Sequence, residues 1–247
     1  MRSPRLVPSL LAVAAVVALA AGCSTTPQSP APTSTGSSTT DATGSTAPED
    51  RDADDIEVAW LDGGRSMAIV TWGSSSRACQ PSAGDATADG QVIAVTLADP
   101  SDEESVCTAD LGPRAALVNV PEGMDVTRDV EVRVTYGDIS DDADLDGLAE
   151  PAAPGLSFGE EPSAGWFDDR GIVLLTYGSS SCQPVVEDVE QTADGATVTF
   201  AEIDGVCTMD MAPRLTVLTL PQEHDDDAPF RLTMIDGEFE STVDVIG

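Results

Sequence analysis

Hydrophobic and polar residues alternate strictly from Val130 to Tyr136: Val130, Val132, Val134 and Tyr136 share one face, and Glu131, Arg133 and Thr135 share the other. A period of two sustained this long predicts a half-buried antiparallel strand. Gln91 to Leu97 alternates in the same way, with Ile93 and Val95 on one face. Met67 to Trp72 is rich in β-forming residues and runs into the turn Gly73-Ser74-Ser75-Ser76. Ala115 to Val120 is apolar on nearly both faces and stops at Pro121, the pattern of a central strand. No segment shows the spacing of an amphipathic helix.

The same order of elements returns later in the chain. Val106 to Pro121 (VCTADLGPRAALVNVP) recurs 100 residues on as Val206 to Pro221 (VCTMDMAPRLTVLTLP), with seven of sixteen positions identical. Trp166 answers Trp60, Ile172 to Tyr177 answers Met67 to Trp72, and Gly178-Ser179-Ser180-Ser181 repeats the serine turn. Phe230, Leu232 and Met234 replace Val130, Val132 and Val134. A period this long suits a duplicated small domain rather than a solenoid unit. The inward face is preserved while the outward face drifts, so the duplication reads as a fold marker.

Three departures from the duplication stand out. Arg77-Ala78 is inserted before Cys79 and has no counterpart before Cys182. His224, the sole His, occurs in the second copy only. Phe239 to Val245 alternates as an extra strand would, whereas its counterpart is the acidic run Asp138 to Asp146.

The predicted fold class is all-β: two tandem small antiparallel β-sandwich or barrel-like domains, at residues 56–137 and 163–247, joined by an acidic linker at 138–162. A single pseudo-symmetric sandwich built from both copies is the competing arrangement.

Charge narrows the partners. The chain carries 44 acidic residues against 11 basic ones, a formal net charge of −33, and every basic side chain is Arg. Nucleic acid and anionic lipid surfaces both require Lys or Arg to neutralise phosphate, so contacts of that kind are excluded.

The N-terminal residues 1–22 read as a targeting segment. Arg2 and Arg5 precede an apolar run, Leu6 to Ala21, that contains Pro8 and is too short for a membrane span. With Ala20-Ala21-Gly22-Cys23 at its end, the segment resembles a bacterial lipoprotein signal, departing from it at Ala20, where Leu is usual. The resemblance implies a lipid on Cys23, and thus a membrane partner reached through an N-terminal anchor, on the extracytoplasmic face of the cell membrane. Residues 23–55 follow, rich in Ser, Thr, Pro, Ala and Gly and nearly free of large apolar side chains. Such a composition predicts a tether, with a coil span of roughly 30 Å.

With Cys23 set aside, four cysteines remain, two in each copy. Oxidising conditions outside the cell favour disulfides, and the duplication selects the pairing in which each copy closes its own bond: Cys79 with Cys107 and Cys182 with Cys207. Each loop would contribute about 3 kcal/mol by the chain-entropy estimate. Zinc is disfavoured, since no CxxC spacing occurs and a single His is present.

Candidate chemistry is sparse. A serine nucleophile in either GSSS turn needs a base, and only His224 could serve. The favoured reading is a turn whose hydroxyls bond to backbone and whose Gly supplies an unusual φ. Asp110 with Arg114, repeated as Asp210 with Arg214, could clamp a carboxylate or phosphate ligand; the favoured reading is an Asp–Arg bridge or an Asx turn beside the disulfide. Asp142, Asp144, Asp146 and Gly147 form a D-x-D-x-D-G run resembling the first half of a calcium loop. Position twelve is Ala153 where Glu belongs, so a solvated linker is favoured over a weak calcium site. Trp60, Trp72, Trp166, Tyr136 and Tyr177 are expected in the core rather than on a sugar-stacking platform.

The GSSS…C-x-P and C-T-x-D-x-x-P-R pattern, present in both copies, resembles segments of small exported proteins and lipoproteins of high-GC actinobacteria. That resemblance brings no catalytic residues and no cofactor. The expectation is a non-enzymatic lipid-anchored surface lipoprotein that binds a protein or cell-envelope ligand. Two alternatives remain: an envelope hydrolase with a pocket near His224, and a structural spacer with weak calcium binding between the copies.

Overall fold

Each copy of the repeat folds its strands around an apolar core of its own. The computed structural model describes residues 54–100, 106–152, 161–225 and 228–247; the targeting segment at 1–22, Cys23 and the tether as far as residue 53 lie outside them. The first copy contains β1 (Ile56–Leu61), β2 (Ser66–Gly73), β3 (Ser82–Ala83), β4 (Thr87–Asp89), β5 (Val92–Ala98), β6 (Gly112–Asn119), β7 (Val130–Tyr136) and β8 (Ile139–Leu145). One sheet has the order β1-β2-β6; the other runs β3-β5-β7-β8, with β4 also on β5.

The second copy repeats the plan with β9 (Ser163–Asp168), β10 (Gly171–Gly178), β11 (Val186–Gln191), β12 (Gly195–Phe200), β13 (Ala212–Thr219), β14 (Arg231–Ile235) and β15 (Ser241–Ile246). Here β15 also pairs with β9, through Val245 opposite Ala164 and Ile246 opposite Gly165. The strands therefore form one seven-stranded sheet, β11-β12-β14-β15-β9-β10-β13. This sheet curls so that its two halves face a common core.

The alternating faces fill those cores as their pattern requires. Val130, Val132 and Val134 of β7 are fully buried against Ile93, Val95 and Leu97 of β5 and Trp60, Met67 and Ile69 of the facing sheet. In the second copy Leu232 and Met234 meet Val198, Phe200, Trp166 and Ile172. A third cluster lies between the copies: Ala59, Leu61, Ala68, Val70 and Trp72 of the first pack on Phe167, Val173 and Leu175 of the second. At about 1.5–3 kcal/mol for each large side chain removed from water, this contact holds the copies together.

The chain is all-β, with the expected disulfides Cys79–Cys107 and Cys182–Cys207 both formed. It does not form two free-standing sandwiches or barrels, because the outer face of each three-stranded half is covered by the other copy. Sheets succeed one another as stacked layers, closer in kind to a solenoid. The described residues all fall in one compact unit.

Three further expectations are corrected. β6, expected to be central, is an edge strand, and the strand central to its sheet is β2. The apolar character of β6 reflects burial of both faces: Ala116 and Val118 face the first core, Ala115 and Leu117 the other copy. The strands are not all antiparallel, since β5 pairs parallel with β7 and β12 with β14. In each case the chain crosses to the facing sheet, through β6 or β13, and returns in the same direction. The acidic run Asp138 to Asp146 is the true counterpart of the last strand. β8 pairs antiparallel with β7 as β15 does with β14, so the first copy extends into the expected linker.

Candidate functional site

The repeated motif assembles one local structure in both copies. β2 ends at Gly73 and β10 at Gly178, and across each glycine lies the guanidinium of the Arg on the neighbouring strand. A β-carbon on Gly73 would stand 2.5 Å from Arg114 Cζ, and one on Gly178 2.6 Å from Arg214 Cζ. Neither glycine has a positive φ. The expectation that this Gly supplies an unusual backbone angle is thus corrected: it is required for space.

Both arginines are buried, and their donors go to backbone. Arg114 Nη1 donates to the Cys79 carbonyl at 3.0 Å and Nη2 to the Trp72 carbonyl at 3.2 Å. Arg214 does the same to Cys182 at 2.8 Å and to Tyr177 at 3.1 Å. Their remaining partners differ. Arg114 Nη2 donates to the Tyr136 hydroxyl at 3.3 Å, which donates in turn to the Asp99 carboxylate. Burial, followed by Asp99, raises the pKa of that phenol. Arg214 instead meets Glu238 at 2.5 Å.

Asp110 and Asp210 serve the serine turns and not the arginines. Both Asp110 oxygens accept from the Ser75 backbone N–H at 3.3 Å, and Asp210 accepts from the Ser180 N–H at 3.3 Å and from the Thr208 hydroxyl. These bonds lower both carboxyls to about 2, the Ser75 hydroxyl leading for Asp110 and the Thr208 hydroxyl for Asp210. No Asp110–Arg114 or Asp210–Arg214 ion pair occurs among the described residues, and the carboxylates reach the distant Ser75 and Ser180 N–H groups, so the bridge and Asx-turn readings are both corrected: each Asp ties its loop to the serine turn of its copy. Ser74 and Ser181 accept from the Thr108 and Thr208 backbone N–H at 2.9 and 3.0 Å, so these hydroxyls are spent on loop architecture.

The other candidates stand apart. His224 is stacked on Trp166, with ring centroids 5.4 Å apart, and against Phe230 at 4.5 Å; its Nε2 lies 3.4 Å from the Ala228 carbonyl. Asp142 and Asp144 lie on β8, opposite Arg133 and Glu131, with Asp142 3.7 Å from Arg133. An extended strand holds alternate carboxylates apart where a calcium loop would converge them. No group of three metal-binding side chains occurs among the described residues. Trp60, Trp72 and Trp166 are buried, and Trp60 Nε1 donates to the Asp146 carbonyl at 2.7 Å.

The two motifs meet at a groove of about 550 Å³ that sequence reasoning did not identify. It runs between the edge strands β6 and β13 and is floored by small side chains such as Ala83, Ala115 and Pro213. Its walls carry Gln80 and Gln183, the residues after Cys79 and Cys182, both half-buried and neither with a side-chain hydrogen bond among the described residues. Arg77, exposed and without an ion pair among the described residues, stands at the same groove. The signal was present: Cys-Gln-Pro occurs in both copies, and Arg77 belongs to the insertion that sets them apart.

No protein-family model, no curated protein and no solved structure matches this chain.

Proposed function

We propose that the protein is a non-enzymatic, lipid-anchored binding module on the extracytoplasmic face of the cell membrane, and that its ligand site is the groove between the copies. The observation that carries this reading is the pair Gln80 and Gln183. Equivalent positions of a duplicated chain bring two half-buried carboxamides, neither with a side-chain hydrogen bond among the described residues, to one concave surface. Preformed clefts with a few convergent polar groups are the usual form of ligand sites, and about 550 Å³ lies inside their common range. Rigid support comes from the disulfides and the Arg-held turns beside them.

The lipid anchor rests on the signal-like segment ending at Cys23, and the exclusion of nucleic acid rests on the net charge of −33. Hydrolysis is the weaker reading, since His224 is engaged with aromatic rings and a backbone carbonyl. The calcium-tuned spacer is weaker too, since Asp142 and Asp144 lie along a strand.

Two measurements test the proposal. Cys23→Ala should move the protein from the membrane fraction to the medium, and retention would remove the anchor. A photo-crosslinker at Ser82, beside the groove, should capture an envelope component, and Gln80→Ala with Gln183→Ala should abolish that capture. Equal capture from a crosslinker at Thr242, exposed on β15 and not among the residues lining the groove, would remove the groove as the site.

A further inference from the structure

We infer that the groove takes a short extended peptide presenting one free carboxylate, held by Arg77. This rests on the groove being a ligand site and names the ligand class.

The backbone argues for an extended peptide. β6 bonds only to β2 within its sheet, and β13 only to β10, so each is an edge strand with one side unpaired by any described strand, and both strands line the groove. Edge strands of this kind accept an added strand by main-chain hydrogen bonds, with pockets for alternate side chains. Small side chains at Ala83 and Ala115 leave the depth a backbone needs. Gln80 and Gln183 can each offer a carboxamide donor and acceptor, the complement of a peptide group. Among the described residues the groove lining contains no aromatic side chain, so it offers no stacking surface of the kind sugar rings use.

Charge argues for the carboxylate. The chain bears 44 acidic residues, yet none of the described residues lining this groove is acidic, whereas Arg77 and Arg214 are among them. Arg214 is already matched by Glu238, which leaves Arg77 as the cation available to a ligand. A planar guanidinium binds a carboxylate through paired, charge-assisted hydrogen bonds. A net charge of −33 repels a polyanion from a distance, so a single carboxylate, such as a peptide C-terminus, fits better than an acidic tract. Screening within about 8 Å at physiological salt lets the local Arg dominate once the ligand is seated.

The probe is acetylated tetra-alanine, offered to the full chain as the free acid and as the C-terminal amide, and followed by backbone amide shifts. The free acid should shift resonances of β6, β13 and the Cys-Gln-Pro segments and bind about tenfold more tightly than the amide, the worth of one charge-assisted contact. Arg77→Gln should bring the acid down to the amide, and Arg77→Lys should restore part of the difference. Gln80→Ala with Gln183→Ala should weaken both probes alike. Shifts that are absent or lie elsewhere, or equal binding of acid and amide, would overturn the assignment. So would the same groove shifts produced by an uncharged oligosaccharide such as chitotriose in place of the peptide. If the Ser82 crosslink persists while the peptide fails, the groove remains a binding site and only the ligand class falls; loss of both removes both.

Discussion

The carbonyl oxygen of Trp60 stands 2.0 Å from the point that a β-carbon on Gly165 would occupy. Gly165 lies on β9 and Trp60 on β1, so the contact sets how closely the two copies approach. Beside it the Asp62 N–H donates to Ser163 Oγ at 2.8 Å. Gly165→Ala should force these strands apart and lower stability by about 1–3 kcal/mol, the usual cost of overpacking. Chemical denaturation measures it. An unchanged midpoint would mean that the copies are not held by this approach.

The serine-turn glycines obey the same logic through a side chain. Gly178→Ala would press a methyl into the Arg214 guanidinium, which is fully buried and bonded to the Cys182 and Tyr177 carbonyls and to Glu238, so moving it aside breaks those bonds. The variant should lose about 2 kcal/mol or more, as strain on a buried network does. Gly123, whose φ is positive and whose surroundings are open, should lose less on the same change, from backbone strain alone. A reversed order of the two losses would contradict a spatial role for Gly178.

The distinction explains what was legible in the sequence. Alternation at Val130, Val132 and Val134 marked a strand with one buried face, and the duplication marked the disulfide partners. These are local or pairwise patterns. The role of Gly178 was not legible, because glycine reads alike whether it supplies a backbone angle or room for a neighbour. β8 was not legible because Asp142 and Asp144 hold one face and Asp141 interrupts the other, where Ile139, Ala143 and Leu145 supply too little apolar signal. The groove was missed because it forms only when the copies stack, a relationship that periodicity along one chain does not encode.

Asp110 and Asp210 make stability depend on acid pH. Both carboxyls ordinarily titrate near 3.8 and are held at about 2 in the fold, chiefly by the Ser75 and Thr208 hydroxyls respectively. A depressed carboxyl contributes stability above its unfolded pKa, and the contribution disappears as pH falls through the folded value. Melting temperature should therefore fall more steeply between these two pH values in the native protein than in Asp110→Asn with Asp210→Asn. Parallel curves would show that the serine turns do not need the charged form.

Each disulfide should matter chiefly to its own copy, and the two loops are similar, with sequence separations of 28 and 25. Loop closure assigns each about 3 kcal/mol. Cys182→Ser with Cys207→Ser also loosens the carbonyl of residue 182, to which Arg214 donates at 2.8 Å. Amide exchange should accelerate at Ser179 to Gln183 while the first copy stays protected. Acceleration spread evenly over both copies would mean that they unfold as one cooperative unit.

Arg214 and Glu238 test how a buried guanidinium is neutralised. Arg214 is fully buried and its carboxylate partner is 39% exposed, so solvent screening discounts the pair below the cost of breaking a fully buried one. Glu238→Gln should still cost about 1–2 kcal/mol, because the guanidinium then keeps only carbonyl partners. In the first copy the corresponding charge is reached through the Tyr136 hydroxyl to Asp99. Tyr136→Phe breaks that relay without removing a carboxylate, so its loss should be smaller than that of Glu238→Gln. Arg214→Met with Glu238→Gln should recover part of the single-variant loss, since removing both partners leaves no uncompensated charge. If the double variant is less stable than Glu238→Gln alone, Arg214 matters mainly through its bonds to the Cys182 and Tyr177 carbonyls, and the ion pair is incidental.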